Sequence, residues 1–411
     1  NASDGGASFL STGNTAVVIF CTKITAVFFL ALVRKLEEQT MTKQQEISRR
    51  NRLFSLLMIA AMLFGMLPVT AFGAETVQIS TEDELFAFAE RVNGTGDDSS
   101  PEADLSAVLT DDITITKEWT PIGLKAAPYS GTFDGQGKTI TISGGIGFID
   151  TQQRYGFFNT VSGTIQNLTI DGTVDLTGKA GNVGGTAGYL EKNGRVISCI
   201  NRASISGKNN IGDIIGMSCG DITQCFNSGS ITAASSSNAG GIVGSVASTA
   251  TGTVTLCGNT GSVTSKTNGA GGVAGSFAPS TELSSCYNIG TIAAGTETVG
   301  GIVGTPMFST VFTLTNCYNT GGISGSKNIG GITGKEMKDE NSYTNCFYLD
   351  TSAANYSGII KSNNSGIPSK QSSEELKTAV LALKDANGKE IFVEDSDNIN
   401  GGWPILAWQA S

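Results

Sequence analysis

Residues 299–325 read Val299-Gly300-Gly301-Ile302-Val303-Gly304 and, after a spacer, Asn316-Cys317-Tyr318-Asn319-Thr320-Gly321-Gly322-Ile323-Ser324-Gly325. Both halves recur. The first appears upstream as Val183-Gly184-Gly185-Thr186-Ala187-Gly188, Ile211-Gly212-Asp213-Ile214-Ile215-Gly216, Ala239-Gly240-Gly241-Ile242-Val243-Gly244 and Ala270-Gly271-Gly272-Val273-Ala274-Gly275, and downstream as Ile329-Gly330-Gly331-Ile332-Thr333-Gly334. Its first glycine advances by 28, 28, 31, 29 and 30 residues. The cysteine of the second half keeps step, through Cys199, Cys225, Cys257, Cys286, Cys317 and Cys346.

A period of about 29 residues, holding short strand-like runs separated by Gly, Asn and Ser, predicts an all-β parallel β-solenoid (β-helix) of about 29-residue coils with short helical N- and C-terminal caps. Three runs per coil are expected, at 301–304, 312–318 and 322–324 in the copy quoted above. A propeller blade needs a longer period and a leucine-rich horseshoe a different consensus. Coils stacked at the strand spacing of about 4.8 Å turn each interior position into a column of like residues. Ile and Val are expected to fill the wide part and Cys and Ala the narrow part, with Gly at corners that need positive φ or close backbone approach. A cysteine repeating once per coil reads as a buried thiol ladder rather than as disulfides. Cys219, out of phase, is the expected exception.

Turn-separated strands at 119–123, 129–140, 156–158 and 165–170 carry the pattern upstream. The expected layout is an N-terminal cap at 75–104, built on a helix over 81–93, a solenoid at 105–350 and a C-terminal cap at 351–411. That second cap combines a helix over 373–385 with a closing strand around Trp403-Pro404-Ile405-Leu406. Ahead of these, residues 41–74 have the form of an export signal: Lys43, Arg49, Arg50 and Arg52, an apolar run over 53–67, and a small-residue exit at Ala71-Phe72-Gly73-Ala74. Residues 1–40, with the apolar stretch 17–33, are then upstream sequence; the competing reading is a membrane hairpin of 17–33 and 53–69, each at the short limit for a span.

Composition narrows the function classes. The 411 residues include 54 Gly and no His, which removes imidazole triads and His-ligated zinc. The net charge is −10 overall and about −13 over 75–411, so nucleic acid is not an expected partner. Only five charged residues fall within 220–330, too few for an obvious carboxylate pair. Acids that stacking could gather lie earlier, at Asp111, Asp112, Glu118, Asp134, Asp150, Asp171 and Asp175, with Arg154, Arg195 and Arg202 nearby. Turn roles are the simpler expectation for these acids. The segment Asp395-Ser396-Asp397-Asn398-Ile399-Asn400-Gly401 fails as an EF-hand loop, because Ile399 takes a ligand position and Gly401 is one place late. Tyr287, Tyr318 and Phe347, each following a cysteine, point outward by alternation. They are either a stacking strip for a ligand or a support beneath other chain.

The phrase of residues 300–325, the segments Trp119-Thr120-Pro121-Ile122-Gly123 and 131–137, and the ending 395–406 together resemble bacterial surface proteins with GLUG-motif repeats. The resemblance covers about 75–411 and implies an exported, adhesin-like solenoid ectodomain of gut-dwelling bacteria. Some such repeats are attached to immunoglobulin-cleaving metallopeptidases, whose His-Glu-x-x-His motif is missing here. Asp213, where the second glycine of the pair belongs, and Gly258, where an aromatic should follow cysteine, depart from the pattern. The expectation is a secreted, cell-surface solenoid for adhesion or ligand binding and presentation, not an enzyme, with no catalytic, cofactor-binding or metal residue assigned. Its expected partners are a host glycan, a matrix protein or other surface proteins, and membrane contact would come only through an uncleaved leader. The alternative is a β-helical polysaccharide lyase or glycoside hydrolase.

The leader assignment predicts a mature chain beginning between Phe72 and Glu75. Intact-mass measurement of exported material checks this, and retention of residues 1–40 contradicts it.

Overall fold

The computed structural model describes residues 75–96, 100–147, 153–234, 238–267, 269–278, 282–295, 298–306, 313–335, 342–349 and 369–410. The proposed leader, the upstream segment 1–40 and residues 351–368 of the expected C-terminal cap lie outside the described residues. The chain is a parallel β-solenoid of about eight turns with coils of about 29 residues.

A representative coil contains five short strands, not the three expected: Arg195–Ile197, Ile200–Asn201, Ser204–Gly207, Asn210–Gly212 and Ile215–Ser218. The two additional strands are only two or three residues long, too short to show an alternating pattern. Every strand pairs in parallel and in register with its counterpart one coil away, so identical sequence positions form continuous columns. One column runs Phe133, Ile165, Val196, Ile222, Val254, Leu283, Leu314, all buried. Others run Ile205, Ile231, Val263, Ile292 and Val183, Ile211, Ala239, Ala270, Val299. Together they form a narrow apolar core along the axis.

The cysteines form the expected interior column, and all seven described thiols are unbridged and buried. Each of the six in the column leans on backbone carbonyls, as Cys286 Sγ does on Ser284 O at 3.2 Å and Val254 O at 3.7 Å. Burial pushes the Cys199 and Cys286 thiols up, which disfavours thiolate. The corner before each cysteine lies in the left-handed region, yet no glycine occupies it. Ser198, Gln224, Leu256, Ser285, Asn316 and Asn345, and Asn167 in the equivalent place before Leu168, have φ between 51° and 56°. Such a residue resets strand alternation, so that Val196 and Cys199, three apart, both face inward. The cost of about 1–2 kcal/mol at each non-glycine position is carried by the packing on either side.

The paired glycines serve close approach instead. A Cβ on Gly241, Gly272 or Gly301 would lie 2.4, 2.4 or 2.5 Å from the side chains of Asn259, Asn288 and Asn319, which reach across the interior. These asparagines are fully buried and joined head to tail: Nδ2 of Asn227, Asn259 and Asn288 donates to Oδ1 of the next at 2.7, 2.6 and 2.7 Å. The same amides close their own turns, accepting from Gly229 N and Gly261 N at 2.6 and 3.2 Å.

At the N-terminal end, strand Thr76–Ile79 pairs with Ser106–Leu109, so the ladder begins ahead of residue 105. Helix Glu82–Asn93 starts on a Thr81/Glu84 capping box and ends on left-handed Gly94. It buries Leu85, Phe88, Ala89 and Val92, with Phe88 against the rings of Tyr129 and Phe133. The C-terminal tail covers a side of the solenoid. Helix Ser373–Leu381, the antiparallel strands Phe392–Val393 and Ile405–Leu406, and the 3-10 turn Ala407–Ala410 pack over Tyr287 and Tyr318. Those rings stack at 5.3 Å, Phe392 meets both edge-on, and Trp408 Nε1 donates to Leu256 O at 3.0 Å. The aromatic strip is therefore a buried support under the tail, with Tyr287 and Tyr318 fully buried.

Two substitutions separate the interior columns. Cys286→Ala should cost about 1 kcal/mol, since one sulfur is lost. Asn259→Ala should cost about 3 kcal/mol or more, because it strands Asn227 Nδ2, Asn288 Oδ1 and Gly261 N–H in the core. Urea midpoints of both variants check the order. Titration with a thiol reagent should find few reactive groups in the native mature protein and six or seven after denaturation; two or fewer after denaturation would show bridging.

Candidate functional site

The column architecture determines which surfaces remain for a ligand. The outward side of the Cys-Asn strands lies beneath the tail. The outward sides of the two Gly-rich strands close on each other: a Cβ on Gly240 would lie 2.1 Å from Val243 O, and one on Gly244 2.5 Å from Ile211 N. The ladder of Ser204–Gly207, Ile231–Ala233, Val263–Ser265, Ile292–Ala294 and Ile323–Ser324 is open. Its inward residues are Ile and Val, and its outward positions carry small hydroxyls. Ser206, Thr232, Thr264, Ala293 and Ser324 form one column, while Ser204, Ser230, Ser262 and Thr291 lie beside it. Thr232, Ser262, Thr264, Thr291 and Ser324 are exposed. The result is a regular face of hydroxyls repeating at the strand spacing, about 4.8 Å.

A second, smaller feature sits at the mouth of the closed Gly-rich seam. Arg154 lies over the Tyr189 ring at 3.8 Å, donates from Nη1 to Thr160 Oγ1 at 2.9 Å, and faces Glu191 at 3.8 Å. Tyr189 Oη meets Cys219 Sγ at 3.1 Å. Burial pulls the Arg154 guanidinium below its ordinary range and pushes the Tyr189 phenol up, with the Cys219 contact adding to the latter. Cys219 thus has a place outside the thiol column, in keeping with its phase. The cluster joins residues 65 positions apart, and the out-of-phase cysteine was the only signal of it in the sequence.

The acids do not assemble. Asp134 accepts from Gln136 N at 2.9 Å, Gln166 Nε2 at 2.8 Å and Asn167 Nδ2 at 3.0 Å. Asp112 accepts from Thr139 N at 2.7 Å, Asp171 from Gly172 N at 2.6 Å, and Asp175 from Ser206 Oγ at 2.7 Å and Thr177 N at 3.1 Å. Asp111 meets Thr110 Oγ1 at 3.4 Å, and Glu118 packs beside Gly147. Asp150 lies outside the described residues. Arg195 and Arg202 are exposed, Arg195 standing opposite Asp221 one coil on. Among the described residues no group of three or more His, Cys, Asp or Glu side chains could hold a metal ion. In the tail, Asp395 is the hub of its own turn, accepting from Ile399, Asn400 and Gly402 N–H at 2.7, 2.7 and 2.9 Å. Among the described residues, no helix is long and apolar enough to cross a membrane.

No protein-family model matches the chain, and no curated protein does. Solved structures do. A crystal structure from Bacteroides ovatus, described as a putative immunoglobulin A1 protease, superposes with TM-score 0.52 at 18% identity, over 82% of this chain and 93% of that one. A second structure, described as IgA1 Protease, matches at 13% identity with TM-score 0.40, over 75% of this chain and 24% of the other. The first likeness establishes a shared fold. It also corrects the expectation that the chain is not an enzyme: that expectation rested on the missing histidines and the sparse charge of 220–330, and a structure that shares the fold is described as a putative protease.

The Asp134 contacts carry a pH signature. Burial pushes its carboxyl up, but the hydrogen bonds from Gln136, Gln166 and Asn167 outweigh this and hold it below the usual range. The resulting stability is present above the unfolded aspartate value of about 3.9 and is lost as pH falls through the lower folded value. Asp134→Asn should therefore flatten the acid limb of stability between about pH 4 and pH 2, read from urea midpoints across that range.

Proposed function

We propose that this chain is an exported, surface-displayed solenoid that binds or presents an extended ligand along its hydroxyl face, as a relative of the GLUG-motif surface proteins. The observation that carries the reading is the difference among its sides. The Cys-Asn side is covered by the tail, the Gly-rich sides close on each other and the side of Arg195–Ile197 sets Arg195, Asp221 and Glu282 beside half-buried Thr223, Thr255 and Thr315, whereas the Ser/Thr face is open, regular and almost free of charge. Hydroxyls fixed on a rigid sheet can hydrogen-bond a neutral polymer without ordering flexible side chains, which keeps the entropic cost of binding low. A chain of about −13 over 75–411 also repels polyanions, which favours a neutral glycan or a matrix protein. The leader-like segment 41–74 supports export.

Immunoglobulin A1 belongs among the candidate ligands because of the name borne by the Bacteroides ovatus solenoid. Purified 75–411 should be applied to an array of neutral and acidic glycans, matrix proteins and immunoglobulin A1, with intact-mass measurement of the immunoglobulin to register cleavage. The expected result is retention by at least one probe, weakened tenfold or more by the double variant Thr232→Lys and Thr264→Lys and unchanged by Lys389→Thr on the tail. Retention insensitive to the face variant, or none at all, would overturn the reading.

A further inference from the structure

One coil departs from the interior pattern. Asp213 occupies the position held by glycine at 185, 241, 272, 301 and 331, and the strand before it pairs in register with both neighbours, Gly212 lying between Gly184 and Gly240. At 185, 241, 272 and 301 that glycine makes room for an asparagine amide from across the core, and at 331 for the ring of Tyr348. Here the amide chain is broken. Asn201 and Asn227 are paired in register, but Asn201 Nδ2 donates to the Asp213 carbonyl rather than to Asn227. From Asn227 onward the chain runs without a gap to Asn319.

Both carboxyl oxygens of Asp213 are fully buried without a hydrogen-bond partner, and so is Thr186 Oγ1 on the adjoining coil, which follows the residue paired with Asp213. Two orphaned polar side chains on adjacent coils, at the gap in the amide chain, make this the least satisfied part of the described core. The facing segments are Asn182–Gly184 and Gly185 on one coil, Asn238–Gly240 and Gly241 on the next, and Cys199 to Asn201 and Cys225 to Asn227 across the core. Their titratable groups are the thiols of Cys199 and Cys225, both pushed up by burial and so neutral.

We propose that the Asp213 coil is a proton-dependent opening point of the solenoid, closed while its carboxyl is neutral and released as the carboxyl ionises. Burial alone pushes that carboxyl well up, with no cation to offset it. The coil's contribution is then fully present below the unfolded aspartate value, about 3.9, and declines as pH rises toward the folded value. Opening there would draw Cys219, on the same coil, away from Tyr189 and expose strand edges able to pair with another chain.

The test is hydrogen exchange of the intact 75–411 protein between about pH 5 and pH 7.5, below the range in which thiols of the opened chain ionise, corrected for the intrinsic pH dependence of exchange. Segments spanning 211–227 should open more readily as pH rises, by up to about tenfold per unit, while those spanning 283–294 stay constant. Asp213→Gly should abolish the pH dependence and slow opening. Asp213→Asn, which keeps the bulk and removes the charge, should also be pH-independent, and it serves if the glycine variant does not fold. Opening of 211–227 that is pH-independent in the parent protein, or that keeps its pH dependence in either variant, overturns the proposal.

Discussion

The structure depends on fitting a row of amides into a core too narrow for them unless the opposite wall is glycine. Asn259, Asn288 and Asn319 cross the interior and meet Gly241, Gly272 and Gly301 at distances that leave no room for a Cβ, whereas the coil of Asn227 carries Asp213 at the glycine position. A buried amide is costly unless all its bonds are made. Here each is bonded along the column to the next amide and locally to the backbone of its own turn. The register of every coil is thereby linked to its neighbours', since a slip of one residue would leave the amides unpaired and drive them into backbone. Apolar columns of Ile and Val supply the bulk of the burial, and similar side chains at each level could tolerate a slip that the amide row does not.

The repeat was legible because two landmarks, the glycine pair and the cysteine, kept step through the chain, and stacking converts step into columns. The strand count was less so. Runs such as Ile200–Asn201 are two residues long, and the left-handed residue before each cysteine interrupts alternation where a reader would continue it. That corner is invisible in composition because Ser198, Gln224 and Leu256 adopt it as Asn316 does. The asparagine two places after each cysteine from Cys199 to Cys317 was visible in the sequence but had no evident role until the glycine 16 to 18 residues earlier was seen across the core from Asn201, Asn259, Asn288 and Asn319. Asp213 stood out as a departure from the phrase, and only the structure shows that it coincides with a break in the amide row.

The surface was read less completely. The outward aromatics Tyr287 and Tyr318 are consistent with alternation, yet what lies on them is a tail more than 80 residues distant, a contact no local pattern encodes. The hydroxyl face follows from the same columns that build the core: wherever Ile or Val points in, the residues flanking it point out, and in this ladder most are Ser or Thr. Binding and catalysis on this fold are decided by such surface features, which vary while the columns are kept.

The central claim is that a bonded row of asparagine amides runs inside the solenoid. Exchange of side-chain amide protons in 15N-labelled 75–411, followed by NMR, tests it directly. The account predicts that the Nδ2 protons of Asn227, Asn259 and Asn288 exchange as slowly as core backbone amides. Exchange of these side chains at the rate of exposed asparagines, in a protein whose backbone amides remain protected, would contradict it.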